Sequence, residues 1–115
     1  MTATLYPCAS AWVEDYLSVI YSRRLGTRHV WCPHWWDHPE AVVRIEAMWR
    51  AWEHMRQDAA LGIAAWFTEV ADPMMRELLD PDGPFKGCDP ERHRPKPETD
   101  MTLPVVPPPP SLAGV

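Results

Sequence analysis

The chain has no lysine before Lys86, no apolar run near the roughly 18 residues a membrane-spanning helix needs, and no basic start followed by an apolar stretch. The expectation is a cytoplasmic protein without a membrane segment or a secretory signal. Also lacking are a phosphate-cradling glycine loop, a nucleophile elbow and a recognisable Ser-His-Asp set, so no motif supports an enzyme. No segment carries a firm strand signal and no internal repeat is present, which turns the reading away from sheet and solenoid folds. Cysteine is sparse and odd in number: Cys8, Cys32 and Cys88 are too widely spaced for a disulfide framework, and suit reduced thiols, metal ligation or packing. Positive charge is short as well. With 11 Lys+Arg against 16 Asp+Glu the net charge is -5, which argues against a general nucleic-acid binder that works by phosphate neutralisation.

What is present is unevenly placed. Seven Trp all fall between Trp12 and Trp66, whereas ten of the 14 Pro follow residue 80. The 115 residues therefore divide into a Trp-rich body over 1–94, large enough for one small core, and a Pro-rich tail over 95–115 expected to be disordered. A docking segment for a proline-binding partner is the alternative for that tail.

The body reads as all-α, with three or four helices. The first is expected over 10–24, capped by Ser10 and ended by Gly26, with Trp12, Val13, Tyr16, Leu17, Ile20 and Tyr21 as its buried stripe. The second, over 38–57, has the clearest start: Asp37 as N-cap, Pro39 in the first turn and Glu40 three residues on. Its stripe is Val42, Ile45, Met48, Trp49, Trp52 and Met55. A third over 61–79 carries Ile63, Trp66, Phe67, Val70, Met74 and Leu78, with Pro73 forcing a kink or split at 72–73. Between the first two lies an aperiodic loop, LGTRHVWCPHWWD, holding Trp31, Trp35 and Trp36. After the third comes turn chemistry, DPDGPFKGCDPERH.

Topology then brings two distant loops together. An antiparallel pair of helices of similar length returns the chain to its starting end, so the segment before the second helix should face the segment after the third. Cys32 and His38 would meet Cys88 and His93, with His34 competing for either histidine place. Two thiols and two imidazoles from two loops suit one structural zinc ion. The C-x5-H and C-x4-H spacings are less specific than paired C-x2-C knuckles, and plain burial of two cysteines with an N-terminal helix histidine explains the same residues.

The strings WCPHWWDHPEAVVRIEAMWRAWEHMR and LGIAAWFTEVADPMMRELLDPDGPFKGC resemble the family called domain of unknown function 4913, over residues 12–93. The resemblance implies a small actinobacterial accessory protein carried on plasmids, integrative elements or phages, and it implies no particular activity. It also implies that Cys32, His38, Cys88 and commonly His93 belong to the family pattern. Glu69 stands where relatives often have a basic or His residue, a departure that weakens any shared role for that helix face.

Three functions follow as expectations. The first is an interaction module that docks a partner protein of a mobile element through Trp31, Trp35 and Trp36, aromatic area beyond the needs of a three-helix core. The second is a DNA-associated factor of plasmid transfer or maintenance using Arg23, Arg24 and Arg28, joined by Arg92 and Arg94. The third is a metal-dependent hydrolase on the Cys/His cluster, which needs an open coordination position and an acid such as Asp37 or Asp89.

Overall fold

The computed structural model describes residues 3–94, 102–112 and 114. Three helical runs make the body, and the described residues contain no β-strand. We label them α1 (residues 9–20), α2 (Pro39–Met55) and α3 (residues 62–78). In α1 a π-helical turn, Val13–Leu17, separates Ala9–Trp12 from Ser18–Ile20, and in α3 another, Phe67–Ala71, separates Gly62–Trp66 from Asp72–Leu78. The expected interruption at 72–73 takes this form: Pro73 has no N–H to donate into the preceding turn, and a widened turn directly before it accommodates the missing bond.

α1 ends at Ile20, four residues before the expected Arg24. Tyr21 leaves the helical region, with φ -109° and ψ 78°, and its hydroxyl donates to Asp72 Oδ1 at 2.9 Å, so a long-range bond stops the helix before Gly26 is reached. α2 starts one residue later than its capping-box pattern suggests. His38, not Asp37, is the N-cap, and its side chain makes no capping hydrogen bond. The Asp37 carboxylate is engaged elsewhere.

The core is aromatic. Trp12, Trp52 and Trp66 are buried, and Tyr16 closes the group with its ring centroid 4.6 Å from that of Trp52. Trp12 meets Trp66 edge-on at 5.9 Å, a geometry that places a positive ring edge on a negative ring face. Trp66 Nε1 donates to the Met48 carbonyl at 3.0 Å, tying α3 to α2. On α2 the fully buried positions are Ala41, Ile45, Met48, Trp52 and Glu53, while Val42, Trp49 and Met55 lie at the edge of the stripe, half-buried.

The close α2–α3 turn depends on Gly62. A Cβ there would lie 1.7 Å from the Met55 carbonyl oxygen. This turn makes α2 and α3 antiparallel, and so returns the chain to the level of residues 31–38. The Val30 N–H donates to the Leu79 carbonyl at 3.0 Å, fastening that loop to the end of α3. Of the expected Pro-rich tail, residues 95–101, 113 and 115 lie outside the described residues; 102–112 are exposed, with one 3₁₀ turn at Pro110–Leu112.

Candidate metal centre

Each of the two facing loops carries its pair of ligand-type residues around one tight turn. In the first, the 3₁₀ turn Trp35–Asp37 folds the chain between Cys32 and His38, with the His38 N–H donating to the Trp35 carbonyl at 3.1 Å. In the second, the Cys88 N–H donates to the Phe85 carbonyl at 3.0 Å across a turn whose Gly87 has φ 82°, a left-handed conformation that favours glycine. A second turn closes at once: Asp89 and Arg92 exchange backbone hydrogen bonds at 3.0 and 3.2 Å, and Asp89 Oδ1 accepts the Glu91 N–H at 2.9 Å. His93 is thereby carried back beside Cys88.

The result is one cluster. A ligand atom from each of Cys32, His38, Cys88 and His93 lies within 4.8 Å of every other. Cys32 Sγ sits 3.0 Å from His93 Nδ1, and Cys88 Sγ sits 3.7 Å from His38 Nε2, so each contact pairs a thiol from one loop with an imidazole from the other. Cys32, His38 and Cys88 are buried and His93 is half-buried. The expected quartet is therefore assembled across some fifty residues of intervening chain. His34 stays outside it, exposed, its ring 4.8 Å from that of His93 and stacked edge-on against Trp36.

Groups around the cluster orient it. His93 Nε2 lies 2.9 Å from Asp37 Oδ2, a contact in which the ring N–H donates to the carboxylate and which fixes the ring with Nδ1 toward Cys32 Sγ. That contact is what takes Asp37 away from the α2 N-terminus. The Arg94 N–H donates to Cys88 Sγ at 3.3 Å, holding the thiol against the second loop. Phe85 walls one side, meeting His38 edge-on at 5.1 Å and Trp31 at 5.0 Å. Without a bound cation the enclosure disfavours charge: burial, with Cys88 and Asp37 adding to it, pushes the Cys32 thiol up to about 11, and burial with His93 nearby pushes the His38 imidazole down. A buried set of two thiols and two imidazoles is compatible with a structural metal ion.

The other expected site residues are dispersed. Trp31 and Trp35 are half-buried and pack against the core, leaving Trp36, 61% exposed, as the indole that projects. Arg23 and Arg28 line one cavity together with Arg76, a residue that no sequence pattern singles out; Arg24 is exposed and lies outside the lining of that cavity. Arg92 and Arg94 are exposed on the second loop. Asp89 is spent on its own turn.

Sequence reasoning also missed Glu53. This buried carboxylate accepts the Leu5 and Tyr6 backbone N–H groups at 2.8 and 2.9 Å, Trp49 Nε1 at 3.1 Å and Arg56 Nε at 3.0 Å, binding the N-terminal segment to α2. Its signal was its register, eight residues after Ile45 on the buried face.

No curated protein and no solved structure matches this chain. The family model described as domain of unknown function (DUF4913) matches residues 6–109, spanning all three helices and both loops of the Cys/His cluster, and the chain belongs to that family.

Proposed function

We propose that the protein is a non-catalytic helical module, clipped by one structural zinc ion on Cys32, His38, Cys88 and His93, that presents its clipped end to a partner protein. The observation that carries this reading is the convergence of the four donor atoms within 4.8 Å. Zinc bonds of about 2.3 Å to sulfur and about 2.0 Å to nitrogen place tetrahedral ligand atoms about 3.3–3.8 Å apart, so small side-chain adjustments would close the set. A zinc ion would supply the folding free energy that holds two irregular loops together, which a core of this size lacks means to supply otherwise. Four protein ligands complete a tetrahedron and leave no position for an activated water, which favours a structural over a hydrolytic role.

The partner surface is the rim of the clipped end. Trp36 stands 61% exposed there, beside His34 and the Asp37 carboxylate. An exposed indole held against an ordered loop has the character of an interface anchor.

Metal analysis of protein purified from zinc-replete medium should give one zinc per chain, falling well below one in Cys32→Ser and in Cys88→Ser. His34→Ala should keep full zinc content. Wild-type protein with well under one zinc per chain, and a melting temperature unchanged in Cys32→Ser, would overturn the metal centre. Trp36→Ala should abolish partner capture while keeping zinc content; capture that survives it removes the rim as the docking surface.

A further inference from the structure

Two cavities adjoin where the loop after α1 meets the end of α3. The larger, about 450 Å³, is lined by Arg23, Arg28, His29 and Arg76, with Asp72 and Asp80 on its wall. The smaller, about 240 Å³, is apolar in character, formed by Leu17, Leu25, Trp31 and Met75. Tyr21, Arg23 and Leu79 belong to both, so the two are compartments of one depression.

The cations here are available for a ligand. Arg28 and Arg76 make no salt bridge or side-chain hydrogen bond among the described residues. Arg23 is only lightly engaged, its guanidinium 4.3 Å above the Tyr21 ring and donating to the neighbouring Ser22 carbonyl. Of the two carboxylates, Asp72 already accepts the Tyr21 hydroxyl. Three guanidinium groups outnumber two carboxylates at this one place, in a chain whose net charge is -5.

The geometry points to a binding site for a phosphate monoester that carries an aromatic or similarly flat apolar group, a molecule of mononucleotide size. Guanidinium groups present paired donors that match the oxygens of a phosphate, so Arg28 and Arg76 would take the dianion. The apolar part would lie against Leu25, Trp31 and Met75 in the adjoining compartment. Both volumes together fall within the range of about 300–1,000 Å³ usual for small-molecule sites. An extended polyanion is the poorer fit, because its affinity comes from many cations spread along a surface, and the structure gathers three at one depression.

The test is an amide NMR titration of the full, zinc-loaded chain with 1-naphthyl phosphate, run beside inorganic phosphate, adenosine monophosphate and a short single-stranded DNA. Saturable shifts confined to residues 17–31 and 72–81 are expected, with 1-naphthyl phosphate binding at least about tenfold tighter than inorganic phosphate because only it fills the apolar compartment. Arg28→Ala and Arg76→Ala, both exposed and unpaired, should each weaken it at least about fivefold with the spectrum otherwise unchanged. Adenosine monophosphate shifting the same amides identifies a nucleotide as the natural source; its failure beside a binding naphthyl ester points to another aryl phosphate. Absence of saturable shifts, indifference to both Arg variants, or DNA binding tighter than the naphthyl ester would overturn the proposal. All four Cys and His ligands are untouched in these variants, so failure here leaves the metal centre standing.

Discussion

A buried carboxylate is costly unless every oxygen is answered, and Glu53 is answered four times. Glu53→Ala would leave two backbone N–H groups and an indole N–H without their acceptor. We expect a loss of about 3 kcal/mol or more in urea unfolding at neutral pH. Burial alone would raise this carboxyl, but the N–H groups of Leu5, Tyr6, Arg56 and Trp49 hold it below its ordinary 4.5. Its folded-state value being the lower one, its stabilisation is complete above about pH 4.5 and disappears as pH falls through the folded value. Unfolding free energy measured against pH should show this acid limb, and Glu53→Gln should flatten it. His38 adds a second pH dependence in the metal-free protein. Burial lowers its imidazole below the ordinary 6.5, so the metal-free protein should lose stability as pH drops below about 6.5, where the unfolded chain takes up the proton first.

At the scale of elements, the α2–α3 turn and the indole between those helices are the points where single changes should tell most. Gly62→Ala places a methyl group against the Met55 carbonyl, which a backbone cannot yield to as a side chain could. The helices would have to part, and a loss of at least about 2 kcal/mol is expected by thermal or urea unfolding. The buried tryptophans separate by their hydrogen bonds. Trp66 donates to Met48, whereas the Nε1 groups of Trp12 and Trp52 are buried without an acceptor among the described residues. Both Trp66→Phe and Trp12→Phe remove similar volume, but only the first breaks a bond. Trp66→Phe should therefore be the more destabilising by about 1 kcal/mol, and equal losses would show that the bond adds nothing beyond packing.

Over the whole molecule, stability has two sources set apart along the helices. Around Trp12, Tyr16, Trp52 and Trp66 lies the aromatic core; at the other end the loops meet through the Cys/His cluster and Phe85. Removal of the proposed zinc ion at neutral pH should thus loosen residues 29–38 and 85–94 while leaving the centre of α2 protected. Hydrogen exchange is the measure: a large rise in both loops, little change over residues 45–52, and reversal on adding zinc. Uniform loss of protection would mean that the core does not stand without the clip.

Helix identity and the break at Pro73 were legible in the chain, because periodicity, proline and turn chemistry act on neighbours in sequence. Even the meeting of Cys32 and His38 with Cys88 and His93 was legible, since two antiparallel helices of similar length must return the chain to one end. Only the tertiary structure decided what each polar side chain does with its bonding capacity. It moved Asp37 from a helix cap to His93, ended α1 at the Tyr21–Asp72 bond, recruited Glu53 to hold the N-terminal segment, and gathered Arg76 with Arg23 and Arg28. The physical reason is range. A helix propensity acts over a few residues, whereas a buried donor or acceptor must find its partner anywhere the fold brings one within about 3 Å, and local sequence does not record where that will be.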